Sequence, residues 1–181
     1  MLTPEEQADH LFRPAEDGGL WYVLHCRPRC EKRAAGACAE HQVRSYLPVH
    51  RKVHPPRKGQ RGYAFDIPLF TGYLFACCTP MGRYQLLRSE LLVRTIEVVD
   101  QAGLLAELRS VYLACCSQVS LTLYPQLRRG RRVRVTAGPL RGIVGRISQR
   151  KQGFRLVVNV TILGQGVAME VDMDQVELLG G

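Results

Sequence analysis

The sequence predicts an α+β chain, a ferredoxin-like split βαβ domain followed by a small SH3-like β-barrel, on three observations. Between residues 20 and 117 strand-like and helix-like segments follow one another in the order β-α-β-β-α-β-α, which is the split βαβ arrangement with an added helix. Beyond residue 130 the texture changes to four or five short β-branched runs within some fifty residues, and strands that short and that close together bury their faces only by curling into a small barrel. Between the two, residues 121–129 hold Pro125 and no sustained period, so they read as a linker. The expected organisation is therefore a loose acidic extension over 1–19, a first domain over 20–120, the linker 121–129 and a barrel over 130–181.

Each element has a local reason. Leu20-Trp21-Tyr22-Val23-Leu24-His25-Cys26 is aromatic and β-branched and stops at Arg27-Pro28, which reads as a buried first strand. From Arg29 to His41, the residues Cys30, Ala34, Ala37, Cys38 and His41 fall on one helical face, and their small size lets the helix lie close to a sheet. Val43 to His50 reads as a second strand, and Lys52 to Gly62, with Pro55-Pro56-Arg57-Lys58-Gly59, as a long basic turn. Ala64 to Ile67 and Leu69 to Cys78 return to strand character around Pro68. Gly82 to Glu90 forms a short helix, and Val93 to Val99 a strand. Asp100 caps a helix from about Ala102 to Ser117, in which Leu104, Leu105, Leu108, Val111, Tyr112 and Cys115 repeat at helical spacing. The barrel strands are expected at 132–136, 143–147, 155–162 and 168–173, separated by Gly138-Pro139, Gln152-Gly153 and Gly164-Gln165-Gly166.

Composition excludes several classes. The chain has 181 residues with a formal net charge of +9, 46% hydrophobic residues, and far too little Gly, Pro or Cys for a collagen-like, disordered or disulfide-scaffold protein. No apolar run reaches the roughly 18 residues of a membrane span. The acidic start, with Glu5, Glu6, Asp9, Glu16 and Asp17, is the reverse of a secretory leader, so a reducing cytoplasmic location is expected. Of the seven cysteines, Cys77-Cys78 and Cys115-Cys116 are vicinal and unsuited to chelation. His25, Cys26, Cys30, Cys38 and His41 are the best metal candidates, but their spacing matches no zinc framework, and buried small hydrophobes are the favoured reading. No metal and no cofactor are expected. No Walker loop, HExxH or paired-carboxylate arrangement supports an enzyme.

The charge is concentrated in two tracts. Residues 27–61 hold ten Lys and Arg against Glu31 and Glu40, and residues 128–155 hold ten more with no acid. Such tracts attract phosphate backbones through counterion release, although a solvated face that only confers solubility is the competing explanation for either one.

Three motifs in order resemble the NusG family of transcription elongation factors over nearly everything after residue 20. Trp21-Tyr22-Val23-Leu24-His25-Cys26-Arg27 is similar to the family's opening strand, Pro68-Leu69-Phe70-Thr71-Gly72-Tyr73-Leu74-Phe75 to its central PLFxxYLF motif, and Gly130-Arg131-Arg132-Val133-Arg134-Val135 with Gly138-Pro139-Leu140-Arg141-Gly142 to the KOW signature. The resemblance implies an NGN domain over 20–120 and a KOW barrel over 130–181. Alternation puts Tyr73 and Phe75 on one strand face and Leu74 on the other, so a sheet covered by helices on one side would leave an aromatic patch on its second side, suited to receive a partner helix. The competing reading is that these aromatics are core. By resemblance, Phe70, Tyr73 and Phe75, with Tyr22 and His25 on the neighbouring strand, bind the clamp helices of RNA polymerase. By the same resemblance, to the specialised RfaH-like paralogue, Arg27, Arg29 and Arg33 contact the nontemplate DNA strand, and Arg33 lies one helical turn beyond Arg29. The segment Arg83-Tyr84-Gln85-Leu86 lacks the small hydroxyl residues that such a paralogue presents to the polymerase gate loop. The KOW barrel is implied to recruit a small-subunit ribosomal protein or the termination factor Rho, and its arginines add nascent RNA. Val157, Val158, Val160, Thr161 and Ile162 favour the barrel over a helical alternate state. The expected function is thus a non-enzymatic elongation or antitermination factor; a ribosomal or RNA-binding module built on the basic barrel is the alternative.

Overall fold

The computed structural model describes residues 2–15, 18–56, 61–117, 119–150 and 153–179. It comprises two compact units, one of Ala15–Glu97 and one of Met1–Pro14 with Val98–Gly181.

The Ala15–Glu97 unit is built on a four-stranded antiparallel sheet. Strand β1 (Leu20–Cys26) lies between β5 (Tyr73–Cys78) and β6 (Leu92–Glu97), and β2 (Arg44–Tyr46) pairs with the far side of β5. This is the ferredoxin-like order expected from the sequence. Helices α2 (Glu31–Glu40) and α3 (Pro80–Arg88) supply Ala34, Ala37, Cys38 and Leu86 to a core shared with Tyr22, Leu24, Cys26, Leu74, Ala76 and Cys78. Only small side chains on α2 face that core, which lets the helix backbone approach the sheet closely. Pro80 opens α3 at a position with no amide to satisfy, and the Thr79 hydroxyl accepts a bond from the Gly82 N–H at 3.2 Å.

The second strand predicted from 43 to 50 is interrupted: β2 ends at Tyr46, and after Pro48 a separate strand β3 (Val49–His54) pairs with β4 (Tyr63–Pro68) in a two-stranded ribbon. Pairing of His54 with Tyr63 carries this ribbon well into the segment expected to be a turn. Of that segment, residues 57–60 lie outside the described residues.

In the other unit, β8 (Arg132–Val135), β9 (Val144–Arg150), β10 (Gly153–Val160), β11 (Gln165–Val171) and β12 (Val176–Leu178) form the expected β domain. Leu156 and Val158 share one face with Met169 and Val167, and all four are buried together with Val133, Val135 and Ile143. The residues read as a linker contribute a further strand, β7 (Thr122–Pro125), which pairs along β11 with Tyr124 opposite Gly166. Its place at the edge of the sheet order β12-β8-β9-β10-β11-β7 is what makes Pro125 tolerable.

Helix α4 (Gln101–Cys116) starts at the expected cap, where an Asp100 carboxylate oxygen accepts from the Gly103 N–H at 2.8 Å. It packs against β9 and β10 and belongs to the same compact unit as they do, whereas the sequence reading grouped it with the first domain. Specific polar contacts fix it there. The Val144 N–H donates to the Ser110 hydroxyl at 3.3 Å, and the Glu107 carboxylate accepts from both the backbone N–H and the hydroxyl of Thr161. Burial pushes the Glu107 carboxyl above its ordinary range, and the two Thr161 bonds oppose that shift.

The acidic start is not a loose extension throughout. Pro4–Leu11 forms helix α1, nucleated by a reciprocal cap in which the Thr3 hydroxyl accepts from Glu6 N–H at 3.2 Å and the Glu6 carboxylate accepts from Thr3 N–H at 2.7 Å. The helix docks on α4 through an Asp9–Arg109 ion pair at 2.6 Å, a Tyr112 hydroxyl donating to Gln7 at 2.8 Å, and Phe12 edge-on to Tyr112.

Candidate functional site

The face of the four-stranded sheet opposite α2 and α3 carries the odd-numbered positions of β1 and β5. Register sets Trp21 across from Cys77, Val23 from Phe75, and His25 from Tyr73. Trp21, Val23 and Phe75 are fully buried, and so is Phe70, which meets Phe75 edge-on with ring centroids 6.4 Å apart. Only the last cross-strand pair keeps accessible surface: His25 and Tyr73 are half-buried and stack at 5.1 Å with planes 23° apart. The His25 Nδ1 atom is buried and has no hydrogen-bond partner in the described structure.

Of the five aromatic and histidine residues expected to line a docking surface, the structure therefore brings His25 and Tyr73 together at the surface. Phe70 and Phe75 are buried and meet edge to face. Tyr22 lies on the opposite face. Its parity along β1 matches Leu24 and Cys26, so it is buried in the core under the helices, with the Arg83 guanidinium over its ring at 5.1 Å. Tyr22 and His25 cannot share one face of the same strand.

The turn preceding Tyr73 is held from two sides. The Gly72 N–H donates to a Glu31 carboxylate oxygen at 2.7 Å, and the Gly72 carbonyl accepts from the Cys26 N–H at 2.8 Å. Gly72 takes φ of +83°, a left-handed conformation in which glycine is unstrained, and a β-carbon there would stand 3.7 Å from the His25 ring. Glu31, at the start of α2, is 5% exposed, and its charge there also suits the positive end of the helix.

The same end of the sheet is basic. Arg27 and Arg29 flank Pro28 in the turn from β1 to α2, Arg33 follows in the first turns of the helix, and all three are exposed. Arg29 itself has φ of +62°. Sequence reasoning missed Arg94, which β6 sets directly across from His25 and which is exposed. Nothing local in the sequence singles it out; only the register of β6 on β1 does.

The cysteines and histidines considered for a metal do not converge. Among the described residues no three His, Cys, Asp or Glu side chains are grouped to hold a cation. Burial first, then the nearby Glu31 carboxylate, pushes the Cys26 thiol up to about 12, and burial pushes Cys38 up to about 11. Both are protonated hydrophobes at neutral pH. A disulfide-exchange reagent is expected to modify exposed Cys116 rapidly in the native protein and to leave Cys26 and Cys38 unmodified until denaturant is added. Mass mapping of the labelled peptides checks this.

Residues 19–105 match the family model described as transcription termination factor NusG. Among solved structures, that of domain interaction in Thermotoga maritima NusG aligns at 15% identity over 92% of this chain and 100% of its own, with a TM-score of 0.46. The MjSpt4:Spt5 complex in its conformation B aligns at 13% identity over 90% and 98% of the two chains, with a TM-score of 0.28. No curated protein matches. The matched stretch takes in β1, both flanking helices, the Phe70–Phe75 motif and the start of α4, so this part of the chain is similar to the NusG family.

Proposed function

We propose that this chain is a non-enzymatic transcription elongation or antitermination factor that docks on RNA polymerase through the His25–Tyr73 end of its N-terminal sheet. The observation that carries the reading is a coincidence of two things: the NusG family model matches residues 19–105, and the half-exposed part of the second sheet face there is a stacked aromatic pair bordered by cations. A stacked ring pair bordered by cations fits an amphipathic helix laid across it, and Arg94 beside His25 offers an acidic partner helix a charged contact. Arg27, Arg29 and Arg33 reach toward a phosphate path on the nontemplate DNA strand or the nascent RNA. That set, used for sequence-selective recruitment, would make the chain a specialised RfaH-like paralogue. The C-terminal unit, with exposed Arg131, Arg132 and Arg134, tethers a second machine, a ribosomal protein or Rho. Two modules that each hold one partner raise the effective concentration of the second without any covalent chemistry.

The paired substitution His25→Ala with Tyr73→Ala is expected to reduce co-purification of RNA polymerase at least tenfold, while far-ultraviolet circular dichroism at 25 °C changes little and the thermal midpoint falls by about 10 °C or less. Undiminished polymerase binding by a folded double variant rejects the reading. The exposed arginines of residues 128–134 favour the second reading, a ribosomal or RNA-binding module. Cosedimentation with ribosomes in the absence of polymerase would select it.

A further inference from the structure

The β3–β4 ribbon carries a surface that the polymerase reading does not use. Its register places Lys52 across from Phe65 and His54 across from Tyr63, so these four side chains share one face. Three of them form a cluster of near-parallel rings: His54 to Tyr63 at 4.8 Å and 14°, His54 to Phe65 at 5.5 Å and 8°, and Tyr63 to Phe65 at 5.9 Å and 19°. Tyr63 is 61% exposed and Phe65 is 41% exposed. Arg51 points to the other face, where Asp66 stands opposite it, so among the described residues of the ribbon no carboxylate shares the face of Lys52 and the rings, and exposed Arg61 lies just before β4.

Cross-strand aromatic pairs do stabilise ribbons, and a two-stranded ribbon needs such help. That purpose accounts for the rings touching one another. It does not account for outward ring faces left in water next to a lysine that meets no carboxylate among the described residues of the ribbon. Aromatic faces flanked by cations are the chemistry that receives unpaired bases and their phosphates: any base offers a π-face for stacking, and the cations track the backbone. Duplex bases are already stacked and offer no such face.

We propose that the His54–Tyr63–Phe65 ring cluster with Lys52 is a binding site for single-stranded nucleic acid of little sequence preference. Bases stack on Tyr63 and Phe65, and Lys52 and Arg61 meet the adjacent phosphates. This site is separate from the His25–Tyr73 pair and does not depend on polymerase docking.

The test is fluorescence anisotropy of labelled twelve-nucleotide strands titrated with the full chain and no polymerase. The probes are oligo-dT, oligo-U, an abasic strand of the same length and a duplex of the same length. Oligo-dT or oligo-U is expected to bind at least tenfold more tightly than the abasic strand, because the abasic strand keeps phosphates and loses the stacking partner. The double variant Tyr63→Leu with Phe65→Leu is expected to lose about tenfold or more in affinity for the base-bearing strand, whereas Tyr63→Phe keeps wild-type affinity. Lys52→Gln is expected to reduce the slope of log affinity against log salt by about 0.7. A preference for dT or for U names the source of the strand. Equal binding of abasic and base-bearing strands, tighter binding of the duplex, or an unchanged affinity in the leucine double variant overturns the proposal. If the double variant loses the ribbon, the abasic comparison on the wild-type chain still decides. A ring cluster that binds no strand but is buried by a protein partner would also overturn it.

Discussion

Replacing Phe75 by Ala is expected to lower the stability of the Ala15–Glu97 unit by about 3–5 kcal/mol, the range for removing a large aromatic from a packed core. Phe75 is 0% exposed, sits across from both Val23 and Tyr46 in the sheet, and meets Phe70 edge-on, so its deletion leaves a cavity lined by residues held in register on three strands and unable to collapse. Set against a typical domain stability of about 5–15 kcal/mol, that loss removes much of the margin and shifts the thermal midpoint by on the order of 15 °C or more. Tyr73→Ala, two residues away on the same face but half-buried, is expected to cost about 1 kcal/mol. Denaturant melts of the two single variants separate the cases. A Phe75→Ala cost below about 1 kcal/mol would mean that Phe75 is not core and that the docking surface extends further along β5. The comparison also guards the polymerase experiment, because a Phe75 variant that fails to bind polymerase reports lost folding before it reports a lost contact.

The contrast between Tyr73 and Phe75 shows how far the sequence could be read. Alternation correctly puts both on one strand face, and the first strand and the Asp100-capped helix follow from local chemistry that is visible in order along the chain. Alternation says nothing about which members of a face stay in contact with water, and Phe75, which meets Phe70 edge-on, is fully buried. Tyr22 stands at an odd spacing from His25, which sets the two on opposite faces of β1. Helix α1 was also legible, since Thr3-Pro4-Glu5-Glu6 is a capping box with proline at the first helical position, but the acid count of the segment obscured it. By contrast, β7 offers only four residues ending in proline, and its pairing with β11 depends on a strand some forty residues later. The grouping of α4 with β9 and β10 rests on Glu107 and Ser110, two polar residues within an otherwise ordinary apolar repeat. The ring cluster on the ribbon depends wholly on register, because its members are drawn from both sides of what reads as a polar turn.

Glu31 is the case where sequence gives no hint and the expected effect is large. Its carboxylate accepts from the N–H of Gly72, 41 residues away, and the bond is 2.7 Å long. A charge-assisted bond in a largely buried place contributes roughly 1.5–3 kcal/mol, and its removal also leaves the Gly72 amide without an acceptor. Glu31→Ala is therefore expected to destabilise the Ala15–Glu97 unit by about 2–3 kcal/mol. Glu31→Gln retains an oxygen that can accept from Gly72 and is expected to recover about half of the loss. The consequence extends to function, because Gly72 joins α2 to β1 through its N–H and carbonyl and directly precedes the tyrosine that stacks on His25. Hydrogen exchange at the Gly72 amide should be slow in the wild type, fast in the Ala variant and intermediate in the Gln variant, with polymerase affinity falling in the same order. If the Ala variant keeps a protected Gly72 amide and wild-type stability, then the turn is held by the Cys26–Gly72 bond alone, and Glu31 has no part in presenting Tyr73.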